Sequence, residues 1–62
     1  MAYKTRDEAV ERDALNLALF IVENEGASQV AAASVRLSEL ALLLGVTGEG
    51  FIARARNILD VA

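Results

Sequence analysis

The sequence predicts an all-α fold, a compact domain of three helices spanning residues 1–62, with a fourth helix if the second one splits. Three observations carry this. Proline is absent, and the four glycines are confined to positions 26, 45, 48 and 50, where they divide the chain into three stretches of helical length. Apolar residues recur at alternating spacings of three and four within each stretch. Capping residues stand at the boundaries, Thr5, Ser28 and Thr47 before a helix and Gly26 and Gly45 after one.

The first helix is expected from about Arg6. Thr5 followed by Glu8 has the spacing of a capping box, and Asp7 and Glu8 suit the positive end of the helix dipole. Val10, Ala14, Leu17 and Ile21 form one apolar stripe, with Leu15, Leu19 and Val22 beside it and Phe20 extending it. Between Ala14 and Val22 this helix is apolar over most of its circumference. It is therefore either central in the fold or buried between chains. Gly26 is expected to end it.

Ser28 is the expected cap of the second segment. Gln29–Val35 is alanine-rich and weakly patterned, so residues 28–44 read either as one helix or as a short helix, a turn near Ser34 and a second helix. Leu37, Leu40, Ala41 and Leu44 share one face, which Leu42 and Leu43 would widen, and Gly45 ends the segment. The third helix is expected after Thr47, with Glu49 in its first turn. Phe51 or Ile52, then Ala55, then Ile58 or Leu59, and Ala62 would face inward, leaving Ala53, Arg54, Arg56, Asn57 and Asp60 outside.

Composition narrows the function. With 62 residues, no Cys and no His, the chain has neither a disulfide nor the usual zinc ligands. Apolar residues make up 55% of it, but most are Ala, Leu and Val, so the core is thin for its size. Self-association is the expected remedy, and Leu15, Leu19, Phe20 and Val22 are its candidate interface, for a second copy or another protein.

The formal net charge is −3. The first 25 residues hold all of the excess acid, while the rest of the chain balances Arg36, Arg54 and Arg56 against Glu39, Glu49 and Asp60. Catalysis has little to stand on: Ser28, Ser34 and Ser38 have no base to activate them, and the carboxylates sit at ordinary helix-surface spacing. No enzyme activity, cofactor or metal is expected. Asp7, Glu8 and Glu11 read as a solvated first turn rather than a metal site. Gly45, Gly48 and Gly50 lack the strand and the lysine of a phosphate loop. The apolar run Ala14–Val22 is too short to cross a bilayer and lacks a signal peptide's basic flank, so no membrane association and a cytoplasmic location are expected.

Leu40-Ala41-Leu42-Leu43-Leu44-Gly45-Val46-Thr47, followed by Phe51 or Ile52, resembles a helix-turn-helix. Ala41 is small where two helices cross, Gly45 tolerates the turn, Val46 serves as an apolar plug, and Thr47 opens the next helix. Together with the first helix ending Glu-Asn-Glu-Gly, residues 13–60 are similar to the three-helix core of winged-helix transcription regulators, without a wing. The resemblance implies a dimeric regulator whose third helix enters the major groove of double-stranded DNA. Arg36, Thr47, Arg54, Arg56 and Asn57 are then the candidate contacts. Regulators this small are often encoded by phages or other mobile elements, an analogy of size alone. The register of the third helix matters here. Starting inward at Phe51 puts Arg54 at a core position; starting at Ile52 restores an apolar pattern but lengthens the turn. The same residues also suit an ordinary inter-helix turn in an acidic, self-associating module that binds or inhibits a larger protein.

Overall fold

The computed structural model describes residues 6–61, and the expected capping role of Thr5 and inward placement of Ala62 lie outside them. The chain forms three α-helices: α1 (Arg6–Glu23), α2 (Gln29–Leu44) and α3 (Gly48–Val61). Residues 29–44 are thus a single helix, as the alanine-rich Gln29–Val35 stretch favours by propensity alone. Ser34 sits exposed within it and causes no break.

Asn24, rather than Gly26, closes α1. Its backbone amide is shared between the carbonyls of Phe20 (3.0 Å) and Ile21 (3.3 Å), and its side-chain Nδ2 donates to the Phe20 carbonyl at 2.8 Å. A side chain that takes a last-turn carbonyl competes with continued helix, so the regular helix ends three residues before the glycine. Gly26 then supplies the left-handed turn, at φ 92°. The expected cap by Ser28 is not made. Ser28 is itself helical (φ −63°, ψ −29°), and its side chain makes no capping hydrogen bond. The start of α2 is satisfied by backbone bonds instead: Val30 donates to the Ala27 carbonyl at 3.1 Å and Ala31 to the Ser28 carbonyl at 3.4 Å.

The other end of α2 follows expectation. Gly45 is left-handed (φ 73°, ψ 25°), its amide donates to the Leu42 carbonyl at 3.1 Å, and the Val46 amide donates to the Ala41 carbonyl at 3.0 Å. These paired bonds satisfy two otherwise orphaned carbonyls. Three residues, 45–47, then lead into α3, whose axis is turned by 112° from α2.

The core consists of Ala14, Ala18 and Ile21 from α1, Ala33, Leu37, Leu40 and Ala41 from α2, and Phe51 and Ala55 from α3. Five of these nine are alanine, so the helices approach closely and little volume separates them. α1 packs extensively on both other helices, whereas α2 and α3 meet hardly at all. That explains the broad apolar surface of α1: Val10, Leu15, Leu17, Leu19 and Val22 are half-buried along the two seams. α3 takes the Phe51 register, with Ala55 one turn later and Ile52 and Leu59 half-buried. The step from Phe51 to Ala55 skips Arg54, which stays exposed with its guanidinium carbon 5.7 Å from the centroid of the Phe51 ring.

Two expectations about α2 need correction. Leu42 and Leu43 do not widen its inner face. The arc from Ala33 to Leu44 that meets α1 is filled by Leu37, Leu40 and Ala41, and the next two side chains project into solvent at 80% and 61% exposure. Val46 is no plug either, being 53% exposed, because the left-handed turn at Gly45 carries it away from the core. Val46 lines the open corner between α2 and α3 beside Leu44 and Phe51 without filling it.

The fully buried alanines make the first prediction. Ala18→Leu forces extra volume into a closed seam and should lower urea-unfolding stability by about 1–3 kcal/mol, whereas Ala53→Leu on the exposed side of α3 should change it by less than about 0.5 kcal/mol. A second contrast isolates the backbone. Gly45→Ala places a Cβ at positive φ and should cost about 1–2 kcal/mol, while Gly50→Ala, in open space within α3, should add up to about 1 kcal/mol.

Candidate interaction surfaces

Two surfaces come out of this arrangement, one on α3 and one on α2. The outward side of α3 is small and nearly neutral. Gly50, Ala53 and Asn57 lie along its middle, Glu49 and Asp60 add acid, and Val61 stands exposed at its last turn. Arg54 and Arg56, two residues apart, fall on opposite flanks and reach toward opposite ends of α1. Arg54 Nη1 lies 4.0 Å from Glu11 Oε2, and Arg56 Nη2 lies 3.7 Å from Glu25 Oε2. Arg36 stands apart from both, on α2, with its Nη1 3.5 Å from Glu39 Oε1 one turn along. The three arginines therefore do not gather on one face, and each has a carboxylate beside it. All six side chains are more than half exposed, so each pair is weak, worth at most about 1 kcal/mol.

The remaining candidates are placed as follows. Thr47 is exposed and lines an open hollow of about 330 Å³ at the corner between α2 and α3, together with Glu11, Leu44, Val46, Phe51 and Arg54. Asn57 is exposed on α3. Arg36 borders a second open hollow, with Asp13, Asn16, Leu17, Phe20 and Leu40. Of the candidate interface on α1, Leu15, Leu19 and Val22 are half-buried against the core, and Phe20 is 38% exposed. Among the described residues no polar or charged side chain is buried. No single helix among them is long and apolar enough to cross a membrane.

The surface that the sequence reading missed is the outer face of α2. Val35 is 62% exposed, and with Leu42, Leu43 and Val46 it makes a run of four large apolar side chains in solvent. Ala31 and Ala32 extend it and are exposed too. The signal was present in the spacing. Ala31, Val35, Ser38 and Leu42 follow one another at intervals of four, three and four, on the side of the helix opposite Leu37 and Leu40. Since α2 is apolar on both sides, a single core helix cannot cover it.

Chemically, then, α2 offers apolar contact with one balanced ion pair at its rim, and α3 offers a nearly neutral face edged by two arginines. Comparison with protein-family models, characterised proteins and solved structures finds no match to this chain.

Proposed function

We propose that this chain is a non-catalytic protein-interaction module that works through the outer face of α2. The observation that carries this is the run of Val35, Leu42, Leu43 and Val46, each more than half exposed on one helix and its closing turn. Single apolar residues on a surface need no explanation, but four large ones on the outer side of one helix and its closing turn point to a contact site. Its charge suits that role. Arg36 and Glu39 balance each other at the rim, while the acid of the chain sits mostly on α1, which packs against the opposite side of α2. An apolar helix face with a balanced rim is the form taken by helix-on-helix docking.

Val35→Ser/Leu42→Ser tests this reading. Because both side chains are exposed, the double variant should keep its helical circular dichroism. Binding of a neutral hydrophobic dye, read by its fluorescence, should fall several-fold. Unchanged dye binding by a folded variant would sink the proposal.

A second reading, a helix-turn-helix DNA-binding regulator, is favoured by one specific observation. The 112° turn between α2 and α3 across a three-residue, glycine-containing connection falls in the range of that motif. In that reading Arg36, Thr47, Arg54, Arg56 and Asn57 contact the duplex. Glu11 and Glu25 compete with phosphate for Arg54 and Arg56, so Glu11→Gln/Glu25→Gln should tighten binding. On random duplex DNA a regulator binds at low salt, with log K falling by about 0.9 per phosphate neutralised for each decade of salt. Fluorescence anisotropy that shows no binding at about 50 mM salt, with or without the two substitutions, would remove this reading.

A further inference from the structure

We infer that the outer face of α2 is covered by the α2 of a second copy, packed antiparallel about a two-fold axis that passes beside Ser38 and Glu39. This rests on the reading of α2 as a docking face and names its occupant. Three features select a second copy and this orientation.

The first is the seam. Ala31, Val35, Ser38 and Leu42 repeat at the four–three–four interval with which two helices interlock. An axis between positions 38 and 39 sets Val35 level with the partner copy's Leu42. Two identical layers then flank a central pair of serines. Such self-complementarity is what an isologous contact requires. Small residues at positions 31 and 38 let the two axes approach to about 8 Å.

The second is charge. Arg36 and Glu39 lie on the same side of the seam, 3.5 Å apart. A two-fold axis perpendicular to antiparallel helices keeps that side in common. Each Arg36 then comes within about 3 Å, along the helix axis, of the level of the other copy's Glu39. The two Glu39 carboxylates then lie nearest the axis, about 1.5 Å apart in level, with one Arg36 outside each of them to offset their repulsion. Parallel pairing sends the two pairs to opposite rims, where they cannot meet. The acid on α1 also favours this face. α1 lies against the core side of α2, so contact through the outer side holds the two acidic helices apart.

The third is size. A helix of 16 residues is about 24 Å long, and two such faces bury on the order of 1,000 Å², the lower bound for a specific contact. The central serines weaken it further. The dimer is accordingly a reversible one, half-dissociated at roughly 10–1,000 µM.

The 62-residue chain tests this in two ways. By sedimentation equilibrium up to about 1 mM, the native sequence should show a monomer–dimer equilibrium, and Val35→Ser/Leu42→Ser should raise its dissociation constant at least ten-fold. Separately, Ser38→Cys should oxidise to a covalent dimer at least ten-fold faster than Ala31→Cys or Asn57→Cys. Only residues beside the axis bring Cα atoms within about 7 Å, whereas the two copies of position 31 end up about 20 Å apart. A chain that is monomeric at the highest concentration, a dimer indifferent to the double substitution, or Ala31→Cys coupling as fast as Ser38→Cys each overturns the antiparallel pairing. The wider docking reading is judged by the dye alone. A monomer whose dye binding still depends on Val35 and Leu42 leaves that reading standing with another occupant, and dye binding indifferent to both removes it.

Discussion

The structure depends on the close contact that α1 makes with both of its neighbours through side chains no larger than a methyl group. Ala14 and Ala18, one turn apart, are fully buried, as is Ala55 of α3, and Ala41 of α2 nearly so. Burial of so little apolar surface per residue gives a small hydrophobic gain, at about 25 cal/mol for each Å² removed from water. What alanine offers in return is proximity and the absence of side-chain entropy to lose. Larger residues, Ile21, Leu37, Leu40 and Phe51, close the periphery of these contacts. The remaining stability must come from helix propensity and from the backbone bonds at the two turns.

That central role of α1 decides what is left for function. Because α1 is sandwiched along two seams, its second apolar stripe is half-buried within the chain, and the largest group of exposed apolar side chains lies on α2 and its closing turn. Because α2 and α3 lean on α1 rather than on each other, their outer sides are independent surfaces with different chemistry. One is apolar with a balanced ion pair. The other is narrow, with small residues in the middle and an arginine on each flank. The ion pairs from Arg54 to Glu11 and from Arg56 to Glu25 tie α3 across α1 near both ends. These arginines therefore sit beside acid from α1 and from the turn that follows it, which α3 viewed alone does not reveal.

Much of the fold was legible in the sequence. Three helices, the left-handed closure at Gly45 and the inward placement of Ala14, Leu37, Leu40 and Ala41 follow from local rules: spacing, glycine and capping. The misreadings share a cause, which is that they required tertiary information. Leu42, Leu43 and Val46 belong to an apolar run whose pattern cannot say which side faces the core until the position of α1 is known. The register of α3 was ambiguous because Phe51 and Ile52 are both apolar, and it was settled by the fit of Phe51 and Ala55 against α1. Ser28 has the right chemistry for a cap, but its helical backbone angles deny its hydroxyl the geometry. The candidate interface on α1 is a different case: Leu15, Leu19 and Val22 are half-buried at the edge of the core and Phe20 is 38% exposed. Whether an excess of apolar surface lies inside a fold or outside it is a property of the neighbours and not of the helix itself.

The near-absence of contact between α2 and α3 also bears on how the chain comes together. α1 and α2 are joined by only five residues, 24–28, and share the longest seam, so they can form a helical hairpin with a small loop-closure cost. α3 gains nothing from α2 beforehand. It docks only once α1 is in place, and its contacts span the greatest sequence distance in the molecule. Topology thus predicts an order of assembly, a local hairpin first and then the closing helix. Locally connected helical folds of this type belong to the fast end of the range for single domains. The last helix to arrive is also the one whose release would leave the hairpin and its apolar outer face in place.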